Sequence, residues 1–139
     1  EQSPVVTYIE DPLLFDDTDG WASILTAASD RVVVAMGKGL SSKSERLTSH
    51  LNCNAVVVRP PQVGTLTKVA DTALMTEKCS KRCVIACSER ETEDTWISDL
   101  AVAVGAQMFE IGSLSKGENI MKINRLLDIA REMESENKE

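Results

Sequence analysis

Residues 54–58 read Asn-Ala-Val-Val-Val, a run of small and β-branched side chains that is apolar after its first position. A strand that is covered on both faces has this continuous apolar character, because neither face meets water. The run therefore predicts a buried strand of a parallel sheet.

Four similar runs lie before and after this one. They cover residues 5–9, 31–35, 82–87 and 107–111. Stretches with apolar residues at helical spacing separate or follow them, around residues 21–28, 44–51, 66–74, 97–104 and 120–133. The alternation predicts an α/β fold of five parallel βα units with right-handed crossovers. Five units do not complete an eight-stranded barrel, so a doubly wound open sheet and a part of a barrel both remain open.

Length and charge limit the classes of protein that fit. The 139 residues predict a single domain, residues 1–139, with a polar tail from about Glu132. A net charge of −7 disfavours nucleic acid and anionic membrane surfaces as general partners. No apolar run approaches the roughly 20 residues that span a bilayer. We expect no membrane partner and no nucleic-acid partner.

Four cysteines are present, and three of them recur every fourth residue. They are Cys53, Cys79, Cys83 and Cys87. Zinc sites usually combine two closely spaced cysteine pairs, whereas Cys83 and Cys87 lie inside an apolar run. We predict buried, reduced thiols and a cytoplasmic location.

Chemistry in parallel α/β folds lies where the strands end, at their carboxyl edge. The residues there include Glu10, Gly37, Lys38, Arg59, Ser88 and Glu110. Gly37 and Lys38 lack the full pattern of a phosphate-binding loop and are predicted to form a plain turn.

Four short motifs resemble those of the enolase family, in the family's order and at almost its spacing. They are Ile9-Glu10-Asp11-Pro12, Gln62-Val63-Gly64-Thr65, the segment Glu91-Thr92-Glu93-Asp94-Thr95 with Asp99-Leu100, and Lys122 to Ile129. The resemblance covers essentially the whole chain. It implies the later strands of an enolase-type TIM-like barrel, that is, a partial or half barrel.

Enolases dehydrate 2-phosphoglycerate with magnesium held by carboxylates, and the resemblance identifies the corresponding positions here. Glu10 matches one metal carboxylate, whereas Gly37 and Lys38 replace the aspartates of the following turn. The remaining metal carboxylate of the family precedes Ser3. The resemblance therefore implies that the metal site is lost and that no cofactor is bound.

The other catalytic positions of the family are also changed. Its base lysine corresponds to Arg59, which stays protonated and cannot remove a proton. Its histidine and arginine correspond to Cys87 and Ser88, and its second lysine corresponds to Glu110. The substitutions predict no catalytic residues and a chain that is not an enzyme.

We therefore expect a non-catalytic enolase-like scaffold or protein-binding module. Residues 112–118 resemble the sperm-type enolase-like proteins, which adds an axonemal assembly and a cilium or flagellum as expectations. Exposed edges of an incomplete barrel predict self-association or a protein partner.

Three alternatives to the scaffold remain. One is the family's own phosphopyruvate hydratase activity. Another is an enzyme of altered chemistry that gathers Lys38, Cys87, Ser88 and Glu110, with Cys87 as nucleophile. A third is a domain that binds an anion through Lys38 and Arg59 without turnover.

Overall fold

The computed structural model describes residues 6–28, 31–38, 47 and 51–136. Over the described residues, a helix follows each strand except the second, and the third strand is followed by an extra helical turn before its helix. The strands are β1 (Tyr8–Glu10), β2 (Val33–Met36), β3 (Ala55–Val58), β4 (Arg82–Ala86) and β5 (Met108–Glu110). The helices are α1 (Thr18–Ala27), α2 (Pro60–Val63), α3 (Leu66–Lys78), α4 (Trp96–Ala103) and α5 (Gly117–Glu136).

The five strands form one parallel sheet in the order β1-β2-β3-β4-β5. Each strand pairs with the next one in sequence, so the sheet curls in one direction into a half barrel with the helices between its strands. This confirms the predicted α/β fold of five parallel βα units. It also decides between the two alternatives, because a doubly wound sheet would reverse its strand order.

The two faces of the sheet carry different side chains, because successive residues of a strand point to opposite faces. The outer face packs against the helices, with Val34, Val56 and Ile85 fully buried. The concave inner face holds a cluster of small residues with Tyr8 and Met108 beside it. The buried members of that cluster are Val33, Ala35, Ala55, Val57, Val84 and Ala86.

Helix starts are set by local hydrogen bonds. The Asp17 carboxylate accepts from Gly20 N at the start of α1, and the Thr65 hydroxyl accepts from Lys68 N at the start of α3. Among the described residues, no helix has the length and apolar character that crossing a bilayer requires.

Several predicted boundaries differ from the observed ones. The first strand is Tyr8–Glu10 rather than residues 5–9, and Val5 lies outside the described residues. Of the predicted helix 44–51, only Leu47 and Leu51 are described, and neither is helical. The turn α2 was not predicted; Pro60 begins it, where proline is favoured because no backbone N–H is needed.

Candidate active site

The carboxyl ends of the strands border a cavity of about 660 Å³ that is lined mainly by charged and polar residues. Alternation along the strands places five side-chain positions one step beyond the apolar inner face: Glu10, Gly37, Arg59, Ser88 and Glu110. Four of these residues line the cavity, together with Lys38, which follows Gly37. We call this layer of residues the rim.

Arg59 connects the two outermost strands across the rim. Its Nη2 lies 2.9 Å from Glu10 Oε1 at the end of β1 and 3.4 Å from Glu110 Oε2 at the end of β5. The Arg59 and Glu10 side chains are only 18% and 20% exposed. A half-buried guanidinium between two carboxylates is stabilised by short, charge-assisted contacts. It neutralises one of the two negative charges.

Gly37 lies directly beside the Glu10–Arg59 pair. A Cβ atom there would lie 2.7 Å from Glu10 Oε1 and 3.0 Å from Arg59 Nη1. Glycine therefore leaves these two charged groups in their observed positions, whereas a larger residue at the end of β2 would displace the ends of their side chains.

Asp11 holds the turn that contains Gly37 and Lys38. Its carboxylate accepts hydrogen bonds from Gly37 N at 2.9 Å and from Lys38 N at 3.0 Å. Asp11 adopts a positive φ of 45°, which aspartate tolerates better than most residues. The predicted plain turn is thus supported by a side chain from the neighbouring strand, and Lys38 remains exposed beside the cavity.

The loop after β4 is held by Glu91 and a fully buried lysine. Glu91 Oε1 accepts from Ser88 N at 2.6 Å and from Ser88 Oγ at 2.8 Å. Glu91 Oε2 lies 3.4 Å from Nζ of Lys122, which is 0% exposed and also donates to the carbonyl oxygens of Thr92 and Glu118. These contacts fix Ser88 at the rim.

Glu91 lies before helix α4 and outside its first turn. Helix α4 begins at Trp96, and Thr95 caps it without a side-chain hydrogen bond. Burial raises the pKa of Glu91, but the Ser88 hydrogen bonds and the Lys122 charge outweigh burial and hold that pKa below its usual value. Glu91 therefore stabilises the loop as a carboxylate, rather than the helix dipole.

Cys87 is a poor candidate for a nucleophile. It is 8% exposed and belongs to the helix-facing cluster, although it touches the cavity. Burial, with the charge of Glu91 adding to it, raises the pKa of Cys87 to about 11. The thiolate is the reactive form, so the thiol is inert at neutral pH.

Burial also raises the pKa values of Glu110 and Tyr8. Burial and then the charge of Glu10 raise the pKa of Glu110, against the opposite effect of Arg59. Burial also raises the pKa of Tyr8, whose hydroxyl is buried without a hydrogen-bond partner among the described residues.

The structure brings most of the positions that the sequence indicated to one cavity, but the sequence did not indicate the residues that support them. The residues it missed are Asp11, Glu91 and Lys122, each of which acts on a neighbour across the fold. The retained motifs that contain them were the available signal, because both Glu91 and Lys122 lie in segments that match the family.

Comparison with known proteins agrees with this geometry. Residues 1–138 match the family described as enolase, C-terminal TIM barrel domain. The chain belongs to the enolase family. It is 38% identical over 129 residues to the enolase of Mycobacteroides abscessus, a match that covers 91% of this chain. The chain spans about 30% of the length of that relative.

The predicted loss of enzyme function is wrong. The enolase family is a family of enzymes, and the matching relative carries the name of one. The prediction inferred inactivity from substitutions in one part of a barrel. A changed charge at single positions alters what a rim binds, and it does not show that activity is lost. The resemblance to sperm-type proteins stays a prediction.

Magnesium, which the family implies, does not fit the donors that this chain supplies at the rim. Mg²⁺ requires several oxygen ligands in nearly octahedral geometry. Here the Glu10 carboxylate faces a guanidinium at 2.9 Å, Gly37 supplies no side chain, and Lys38 is cationic. Over the described residues, no group of three or more His, Cys, Asp or Glu side chains is arranged to hold an ion.

Proposed function

We propose that the chain forms the rim-bearing half of an enolase-family enzyme that acts, with altered chemistry, on a small carboxylate or phosphate compound. The observation that carries the proposal is the rim itself. The cavity is lined by cationic, anionic and hydroxyl side chains together. The cations are Lys38, Arg59 and Arg90, the carboxylates are Glu10, Glu89 and Glu110, and the hydroxyl is that of Ser88. A family member with this arrangement has groups for attracting and orienting an anion.

The roles of these groups follow from their surroundings. Lys38 is exposed at the cavity and provides a positive charge for an incoming anion. Arg59 is fixed between two carboxylates, so it orients groups and does not exchange a proton. Ser88 is held by Glu91 and offers a hydroxyl at the same cavity. Other catalytic groups would come from parts of the protein beyond this chain.

The direct test is an activity assay of the protein at the full length that it has in its cell. Formation of phosphoenolpyruvate from 2-phosphoglycerate is measured first, followed by related 2-hydroxy and 2-phospho acids. We expect turnover whose KM rises about tenfold or more in Lys38→Ala, because a charge-assisted contact of roughly 1.5–3 kcal/mol is lost. Lys68→Ala, on the exposed start of α3, is the matched control. Absence of turnover with every such acid would reject the proposal.

A second proposal concerns partners. We propose that the free edges of β1 and β5 pair with further strands, from another copy or from a protein partner. In the described residues each of these strands pairs on one side only, and unpaired strand edges attract other strands.

Sedimentation of the chain tests whether the free edges of β1 and β5 pair with other strands. We expect species larger than the 15.2 kDa monomer. A compact monomer at all concentrations would contradict the proposal. A cytoplasmic or ciliary location stays a prediction.

A further inference from the structure

We propose that the Arg59 guanidinium is a built-in cation that occupies the place of a divalent ion at the rim, and that Gly37 is the residue that makes this possible. The inference deepens the proposed function and rests on it for the role of the rim. Its test uses no turnover, so the two proposals fail separately.

The first step is the position of the guanidinium. It lies between carboxylates that belong to the first and last strands of the half barrel, at 2.9 Å from Glu10 and 3.4 Å from Glu110. Two carboxylates that converge from different strands repel each other when both are charged, and a cation between them relieves that repulsion. Arg59 provides it from the chain itself, at the end of the middle strand.

The second step is steric. A Cβ atom at position 37 would lie 2.7 Å from Glu10 Oε1 and 3.0 Å from Arg59 Nη1, so a side chain there would displace the ends of these two side chains. An ion-binding carboxylate at position 37 would therefore compete with the guanidinium for the same space. Glycine leaves that space to Arg59.

The third step is electrostatic. A guanidinium keeps its charge at every physiological pH and needs no metal supply. A divalent ion would have to displace it from Glu10, leaving Arg59 without that partner in a half-buried place. Such an exchange is unfavourable, because breaking a buried ion pair leaves a charge uncompensated.

Metal binding by the chain tests the inference, with Mn²⁺ and Mg²⁺ as probes. We expect that millimolar Mg²⁺ leaves the Tm of the unmodified chain unchanged and that Mn²⁺ stays free in its electron paramagnetic resonance spectrum. In Arg59→Met the two carboxylates lose their cation, so we expect a Tm that rises with the logarithm of ion concentration and a bound Mn²⁺ signal.

Arg125→Met is the matched control. Arg125 also bridges two carboxylates, Asp99 at 2.6 Å and Glu132 at 2.9 Å, but on the exposed surface between α4 and α5. Its removal should give no ion-dependent rise in Tm. Arg59→Gln replaces Arg59→Met if the latter does not fold.

Two outcomes would overturn the inference. Ion binding by the unmodified chain equal to that of the Arg59 variants shows that the guanidinium does not take the ion's place. Equal rises in Tm for the Arg59 and Arg125 variants show that ions bind any freed carboxylate. Should neither Arg59 variant fold, the Mn²⁺ spectrum of the unmodified chain decides: bound ion rejects the inference and free ion supports it.

Discussion

Lys122 shows how a single charged residue is accommodated in the interior. It is fully buried, and its ammonium group meets Glu91 and the carbonyl oxygens of Thr92 and Glu118. Its own carbonyl accepts from the buried Ser98 hydroxyl at 2.9 Å, which attaches α5 to α4. A buried charge is tolerated only when it is paired and hydrogen-bonded in this way.

Replacement of Lys122 by methionine should destabilise the protein strongly. The change leaves the Glu91 carboxylate without its cation in a place where its side chain is 14% exposed. We expect a loss of about 3–5 kcal/mol in the free energy of unfolding, as for other buried pairs broken on one side.

Urea denaturation measures the loss, with Arg125→Met as the control. That pair is more exposed, so its removal should cost about 0–1 kcal/mol. Equal costs for the two variants would contradict the role given to Lys122. Adding Glu91→Gln to Lys122→Met should restore part of the lost stability.

Glu91 should also contribute to acid sensitivity. Its folded-state pKa lies below its usual value, so its stabilising effect is present above the unfolded pKa of about 4.3 and is lost as the pH falls further. The Glu91→Gln variant should therefore show a flatter decrease in Tm below about pH 4.3 than the parent. Parallel curves for the two proteins would show that Glu91 does not titrate with folding.

Alkylation of the thiols tests the placement of Cys87. Burial and its raised pKa of about 11 keep Cys87 protonated, whereas Cys79 at the end of α3 is partly exposed. We expect mass spectrometry to find Cys79 labelled by iodoacetamide well before Cys87 in the native protein. In urea the difference should disappear. Fast native labelling of Cys87 would reopen the nucleophile hypothesis.

At the scale of the secondary-structure elements, side-chain amides connect neighbouring strands by hydrogen bonds. Asn54, just before β3, accepts from Val34 N at 2.8 Å and donates to Val32 O at 2.9 Å. Gln107, just before β5, accepts from Cys83 N at 2.7 Å in the same manner. Both continue the hydrogen bonding of the sheet at its amino edge, before regular strand pairing begins.

The Asn54→Ala variant should lose about 1–3 kcal/mol of unfolding free energy, because the N–H of the fully buried Val34 is left without its acceptor. Asn52→Ala is the control: its amide donates to Thr18 O at 3.0 Å near the surface, and its removal should cost no more than about 0.5 kcal/mol. Thermal denaturation that does not separate these variants would contradict the argument.

The sequence predicted the elements better than their ends. Apolar runs identified the five strands of the described residues, and the signal was strongest for β2, β3 and β4, which are rich in valine or other apolar residues and buried on both faces. The single turn α2 was missed, since four residues are too few to show helical periodicity and two of them are prolines. The role of Glu91 in the loop after β4 was not predicted, because its partner Lys122 is 31 positions away in the sequence.

At the scale of the whole molecule, the position of the rim was predictable from the sequence, whereas the ion pairs among its side chains were not. Parallel strands bring their carboxyl ends to one edge, so the convergence of Glu10, Arg59 and Glu110 follows from the pattern alone. The contacts among them depend on how far the sheet curls. Likewise, the prediction of inactivity from substituted residues was wrong, because the chain spans only a part of the length of its enolase relative.

The packed inner face also limits the route by which a compound can reach the cavity. Valine and alanine fill the concavity below the rim, so these five strands enclose no axial tunnel from the amino edge. A compound held beside Lys38 therefore reaches the rim from the carboxyl edge of the sheet, next to the loop that follows β4.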